Sequence, residues 1–405
     1  MTKNRKIRVG VVGAGLANGA DGRERWAVRA HLPALRALSE YCEVVAVCTT
    51  RMQTAQESAR RFGVEHAFDD VAKLLAFDDL DVVCVSVRPS LHHQVVMAAL
   101  RAGKHVYCEH PLGVSTHEAE EMYELAVQND LRTVVGHQTH HLPASRHMAD
   151  LVADGFIGEP LSFNYTYFTG NYIAPRPSHR EWLFQSNMGG HPGYRSGFSL
   201  DRVTSVLGSD PAEICADLAI KVPSRAATDR FEPILSNQVD NMHYLLRLEN
   251  GASGTMQVCW TAWLGTEERL EVYGTEGMVM LTTEHSRGDW NGAGRRGDPH
   301  SGLTRVQGGR VDIEQLRRNP VPPERLNGGF EAIEIPDRYT TARGFDQQDP
   351  AFGVAQTWAA FFDGIRDGVD CQPSFADGLK LHRILDASER SMETSGWAKV
   401  QLDNA

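Results

Sequence analysis

The sequence predicts an α/β chain: a doubly wound parallel sheet first, then an α+β unit with a mostly antiparallel sheet, open on one face. Three observations carry this reading. Short apolar runs alternate with helical stretches from Ile7 to about Gly136. Longer runs of alternating polarity follow after Pro143. A glycine turn, Gly13-Ala14-Gly15, comes straight after the first apolar run. Strands covered by helices on both faces read as continuous apolar runs, whereas strands with one wet face alternate.

The predicted strands of the first part are Ile7–Val12, Glu43–Cys48, Val82–Val87, His105–Cys108 and Arg132–Val135. Helices are predicted after the glycine turn (around Trp26, Val28 and Leu32) and near Met52–Phe62, Val71–Ala76, His92–Ala102 and Thr116–Asn129. Strand–helix alternation of this kind builds a parallel sheet. Ala144–Asp154 reads as one more helix, stopped by Gly155. The alternating strands are Leu161–Thr169, Ile214–Lys221, Asn241–Glu249, Gly254–Trp263, Glu268–Gly274 and Gly277–Thr283, with Asn250-Gly251 as a hairpin turn. Residues 285–350 are rich in Gly, Arg, Pro and Asp and read as a long surface excursion, a lid or an oligomer arm. Gly353–Arg366 and Phe375–Ser395 read as closing helices. The expected division is a dinucleotide-binding domain over 1–140 and a substrate-binding and oligomerisation domain over 141–405.

The chain of 405 residues can bury a core in each of two domains. A net charge of −11 argues against direct nucleic-acid binding. No apolar run is long enough for a membrane span, and no signal peptide is expected. The seven cysteines are scattered and form no Cys-x-x-Cys pair, which fits a reducing cytoplasm.

A strand, a glycine turn and a helix are what a dinucleotide pyrophosphate needs. Glycines let the backbone approach the phosphates, and the helix start supplies unpaired N–H groups. Gly13, Gly15, Leu16 and Ala17 are therefore cofactor candidates, although the third glycine of the motif falls on Asn18, with Gly19 one place late. After the second strand the chain reads Cys48-Thr49-Thr50-Arg51 where an NAD-selecting carboxylate would stand. Two hydroxyls and a guanidinium suit a 2′-phosphate, so NADP is favoured, with NAD open. The alternative is a helix cap with a solvated arginine. Val87, Arg88, Pro89 and His92 follow the third long strand at the ligand-binding edge of such a sheet, with His92 either on the cofactor or fixing the loop. Glu109-His110-Pro111 ends the next strand. Imidazole titrates near neutrality and can deliver or remove the proton that accompanies hydride transfer, so His110 is a catalytic candidate, or else packs against the cofactor. Glu109 and Gln138 join the cofactor set. Gly136 to His141 puts three histidines within five positions, read as loop packing and substrate contact, with no metal.

Several of these segments occur together in one known family. GVVGAG near the start, the His of PSLHH, AGKHVYCEHPLG, GHQTHHLPA and ADGFIGEP, in that order, resemble the glucose–fructose oxidoreductase / inositol dehydrogenase (Gfo/Idh/MocA) family over nearly the full length. The resemblance implies a Rossmann domain followed by an α/β domain with a large, mostly antiparallel sheet. It implies hydride transfer between NAD(P) and a hydroxyl or keto carbon of a sugar or cyclitol, and a homodimer or homotetramer through the second sheet. WAVRAHLPALRAL and His92–Met97 are similar to the branch of the galactose-regulon repressor, which binds NADP as a sensor. A silent NADP-binding regulator is therefore one alternative, and a lyase or hydrolase with transient redox on bound NAD another.

The chain departs from the family at two places. The lysine of Glu-Lys-Pro is His110, and aligning Gly197 and Asp201 with the second family motif puts Phe198 in the place of the catalytic histidine and Tyr194 in that of the upstream aspartate. Tyr194 and His191 become candidate proton-handling helpers for His110. The substrate candidates are His141, Tyr165, Tyr167, Tyr172, Arg195 and Phe198.

Overall fold

The computed structural model describes residues 5–16, 25–186, 193–284, 303–318 and 329–402. Six strands, β1 (Ile7–Val12), β2 (Cys42–Cys48), β3 (His66–Phe68), β4 (Val82–Val85), β5 (His105–Glu109) and β6 (Thr133–Gly136), form an all-parallel sheet in the order β3-β2-β1-β4-β5-β6. Their helices are α1 (Leu32–Ala37, entered through a π-helical turn at Ala27–His31), α2 (Met52–Phe62), α3 (Val71–Leu75), α4 (His92–Arg101) and α5 (Thr116–Gln128). Every residue of β4 is buried, as a strand covered on both faces requires. Local chemistry sets the helix ends: Asp70 caps α3 through the Ala72 amide, and Gly63 closes α2 in the left-handed conformation. The edge strand β3 was not expected, because three half-buried residues give no apolar run to read.

The second part begins with α6 (Pro143–Ala153) and β7 (Pro160–Phe168), followed by α7 (Gly197–Leu207). The later strands are β8 (Pro211–Ala219), β9 (Ser224–Arg225), β10 (Ile234–Leu235), β11 (Asn241–Leu248), β12 (Ser253–Cys259), β13 (Glu267–Gly274), β14 (Gly277–Glu284), β15 (Leu303–Arg310), β16 (Glu331–Ile333) and β17 (Ala398–Lys399). Eight of them join β7 in one nine-stranded sheet in the order β16-β15-β14-β13-β7-β12-β11-β8-β17, with β9 and β10 paired apart. Only the central β7–β12 pair is parallel. The stretch read as an irregular excursion is corrected: β15 and β16 extend the large sheet, and α8 (Ile313–Arg318) follows β15. The residues described between 303 and 333 thus carry the edge strand β16, only three residues long, and β15 beside it, whose period Gly308 and Gly309 mask.

Two last helices, α9 (Pro350–Asp367) and α10 (Phe375–Thr394), tie the halves together. Trp358, Phe361 and Phe362 of α9 pack with Ile7, Val9 and Val11 of the parallel sheet. Phe375 and Leu379 of α10 pack with Val106 and Val135, while Leu381, Ile384 and Leu385 join the core under the large sheet. Among the described residues, no helix is long and apolar enough to cross a membrane.

Candidate active site

Strand order reverses between β1 and β4, the kind of switch point where doubly wound sheets bind ligands. Gly13 lies there with φ +96°. A Cβ on it would stand 2.1 Å from the Ser86 carbonyl oxygen, so glycine is required both by space and by backbone. Gly15 differs: among the described residues the atoms nearest a Cβ there are Arg25 Nε and Thr49 Cγ2, each at 3.7 Å. The turn leaves ordinary contact distance there and has a guanidinium beside it, which fits a pyrophosphate. Leu16 is partly buried against the first core. Ala17, Asn18 and Gly19 lie outside the described residues, as does His191.

After β2, Thr49 Oγ1 lies 2.9 Å from the Arg51 carbonyl oxygen and 2.7 Å from Thr54 Oγ1. Its hydroxyl secures the start of α2, whereas Thr50 and Arg51 are exposed. After β4, Pro89 is buried and Val87 half-buried, and Arg88 lies over the Trp182 ring at 5.7 Å, a contact between the two halves. His92 is fully buried, with Nδ1 2.8 Å from the Pro111 carbonyl and Nε2 3.2 Å from that of Val87. Burial pushes this imidazole below its ordinary pKa. His92 therefore links the loop after β4 to the loop after β5.

Glu109 ends β5, His110 follows it, and a cis His110–Pro111 peptide turns the chain away. Glu109 Oε1 lies 2.8 Å from His31 Nε2 and accepts from Gln138 Nε2 at 2.9 Å. A Cβ on Gly136 would stand 2.7 Å from Glu109 Oε1, so the glycine opening the histidine-rich segment makes room for the carboxylate.

His110 sits at the join of the two halves. Its Nε2 lies 2.8 Å from the Tyr194 carbonyl oxygen and its Nδ1 2.8 Å from His137 Nε2. A carbonyl only accepts, so His110 Nε2 carries a proton and donates it there. With a neutral His110 ring, Nδ1 accepts from His137. His137 is fully buried, and its Nδ1 stands 3.5 Å from Asp201 Oδ1, a charge contact rather than a well-formed hydrogen bond. His140 Nδ1 reaches both Asp201 oxygens at 3.2 Å. Burial alone would raise the Asp201 carboxyl, but the two imidazoles hold it well below the usual carboxylate range. His140 mirrors this: burial pushes it down, and Asp201 more than compensates, leaving it above its ordinary value. The result is a chain from Asp201 through His137 to His110. Sequence reading singled out the histidine run but missed the roles of His137, His140 and His31.

Phe198, in the slot of the family histidine, packs its ring 4.5 Å from that of His110. A Cβ on Gly197 would lie 2.3 Å from His110 Cε1, so the start of α7 is cut away to admit the imidazole. Tyr194 touches His110 through its backbone carbonyl, while its buried phenol is pushed up to about 12. Arg195 is buried, stacks over the Tyr172 ring at 3.8 Å and donates to the Leu183 carbonyl.

Other substrate candidates are placed elsewhere. Tyr165 is buried between sheet and helix, its hydroxyl 2.7 Å from Glu268 Oε1 and 2.8 Å from Ser199 Oγ. Tyr167 is buried edge-on to Trp260 at 5.2 Å. His141 lies 2.5 Å from the Gln372 carbonyl, and burial, with His140 beside it, pushes it down to about 3. These three are engaged in packing and loop support, because the β7 face that carries the tyrosines is the one the helices cover. Among the described residues, no three His, Cys, Asp or Glu side chains are grouped to hold a metal ion.

A glycine turn at the switch point of a doubly wound parallel sheet defines a nucleotide-binding class of fold, and the linked imidazoles of His110 and His137 lie where its two halves meet. The model for the oxidoreductase family with an NAD-binding Rossmann fold matches residues 7–137, and that for the Gfo/Idh/MocA C-terminal domain matches 145–280. The chain belongs to the Gfo/Idh/MocA oxidoreductase family. Levoglucosan dehydrogenase of Pseudarthrobacter phenanthrenivorans is 25% identical over 364 residues, 86% of this chain and 87% of that one. A levoglucosan dehydrogenase structure in complex with NADH and levoglucosan superposes with a TM-score of 0.79 at 23% identity, covering 98% of this chain and all of the other. The galactose/lactose metabolism regulatory protein GAL80 of Kluyveromyces lactis is 26% identical over 264 residues, 61% of this chain and 56% of its own.

Proposed function

We propose that the chain is a pyridine-nucleotide-dependent oxidoreductase, preferring NADP, that acts on a hydroxyl or keto carbon of a sugar, cyclitol or other cyclic polyhydroxy compound. The observation that supports this reading is the His110–His137–Asp201 chain, whose imidazoles would serve as a proton store where the family's lysine and histidine are absent. The turn at Gly13–Leu16 and Arg25 would hold the pyrophosphate, Thr50 and Arg51 the 2′-phosphate, and Glu109 the nicotinamide half. A nicotinamide held there supplies or accepts the hydride. In reduction, starting from a His137 ring protonated on both nitrogens, His110 Nε2 gives its proton to the developing alkoxide and Nδ1 takes one from His137 Nε2, which leaves both rings neutral. The Asp201 carboxylate stabilises the positive charge shared by the two rings, the role a buried aspartate plays behind a catalytic histidine. In oxidation the proton runs the other way. For this, His110 must exchange the Tyr194 carbonyl for substrate. Phe198 keeps water from the rings on the α7 side.

The test is spectrophotometric turnover of NADPH and NADP against a panel of cyclic polyols and keto-sugars, including levoglucosan and myo-inositol. His110→Ala should cut kcat by about 10²- to 10⁴-fold with coenzyme binding retained. A second reading, a coenzyme-binding regulator without turnover, draws on one observation: both His110 nitrogens already have protein partners. It predicts tight NADPH binding and no turnover with any member of the panel.

Seven unpaired cysteines, several inside strands, suit a reducing cytoplasm. Self-association would use the uncovered face of the large sheet, where Asn164, Thr255 and Glu271 form a polar ladder beside exposed Leu245 and Tyr273. Light scattering on Leu245→Arg, expected to lower the mass, tests this.

A further inference from the structure

Glu109 is held asymmetrically. Both protein donors, His31 Nε2 and Gln138 Nε2, converge on Oε1, and among the described residues no hydrogen bond or ion pair reaches Oε2. His31 is itself fixed. Trp358 Nε1 lies 3.0 Å from His31 Nδ1, and an indole N–H only donates. Nδ1 is therefore the acceptor, and the ring proton sits on Nε2, aimed at Glu109. The edge-on ring of Tyr107, 4.9 Å away, limits tilting of the imidazole. The four residues come from the helix entry after the glycine turn, from β5, from the segment after β6 and from α9 near the far end of the sequence. His31 and Trp358 are both fully buried, so solvent does not compete for these bonds.

We infer that His31, with its tautomer set by Trp358, is a positioning residue that locks Oε1 of Glu109 and so reserves Oε2 as an acceptor for a hydroxyl or amide N–H on the nicotinamide half of the coenzyme. This rests on the reading of Glu109 as a coenzyme contact. It explains why a histidine is buried in the helix entry with nothing to do in the proton chain. It also gives α9, which packs with Ile7, Val9 and Val11 of the parallel sheet, a part in coenzyme binding.

NADPH affinity, read by fluorescence titration, and melting temperature are measured for Glu109→Gln, His31→Phe, the double variant and His31→Gln. A positioning role predicts that His31→Phe weakens NADPH binding about tenfold, roughly the worth of one charged hydrogen bond. The double variant should bind no worse than Glu109→Gln alone, and His31→Gln, which can still donate, should recover most of the loss. Multiplying losses in the double variant, or unchanged affinity in folded His31→Phe, overturns the inference. Should His31→Phe fail to fold, Trp358→Phe carries the test, since it frees the tautomer and is expected to weaken NADPH binding while leaving a melting transition. If Glu109→Gln itself binds NADPH normally, the coenzyme reading of Glu109 falls first, and the inference with it.

Discussion

At the scale of single residues, the site depends on which imidazole nitrogen carries a proton. Replacing His137 by Phe removes the donor behind His110 without touching the group proposed to meet substrate. The expected loss in kcat is about tenfold, smaller than for His110→Ala, with the coenzyme dissociation constant unchanged. The His140–Asp201 pair sets a stability window. Asp201 is depressed in the folded state, so its contribution is present above its ordinary value near pH 4 and is lost as pH falls further. His140 is raised, so its contribution is whole below about pH 6.5 and is lost as pH climbs through its elevated value. The melting-temperature difference between the natural chain and His140→Gln should therefore be largest in mildly acid buffer and shrink in alkaline buffer. The histidine run and the missing lysine were visible in the sequence. The link to Asp201 was not, because 61 residues separate it from His140 and only the packing of α7 brings them together.

At the scale of elements, local signals held wherever a strand or helix had a strong period or a cap, as at Met52–Phe62, whose limits match. They failed where side chains were few: β3 has three residues, and β15 is diluted by glycine. The face of β7 was legible from its alternation, yet which layer would cover that face was not, and the tyrosines turned out to be core. The start of α7 offers a direct test. Gly197 has ordinary helical angles, so alanine there would normally favour the helix by about 1 kcal/mol. With His110 Cε1 only 2.3 Å from the added Cβ, Gly197→Ala should instead cost about 1–3 kcal/mol by overpacking, visible in denaturant melts, and displace the imidazole enough to lower kcat. At the end of β2, the proposed 2′-phosphate contact predicts that Arg51→Ala lowers affinity for NADPH about 10- to 100-fold, with little effect on NADH binding.

At the scale of the molecule, the site is a joint product of both halves. His110 comes from the parallel sheet, Tyr194, Phe198 and Asp201 from the second part, and α10 packs into both cores. Coenzyme bound at such a joint stabilises the folded chain by mass action. At 100 times its dissociation constant NADPH should add about 2.7 kcal/mol, a clear rise in melting temperature. The central claim is that a pyridine nucleotide crosses the turn at Gly13–Gly15 and brings its reactive ring to His110. A crystal structure with NADPH tests it most directly. The account predicts phosphates against the turn and Arg25, the nicotinamide half on Glu109 Oε2, and the ring facing His110 across the domain junction. A nicotinamide directed away from His110, or a coenzyme bound at another surface, would contradict it.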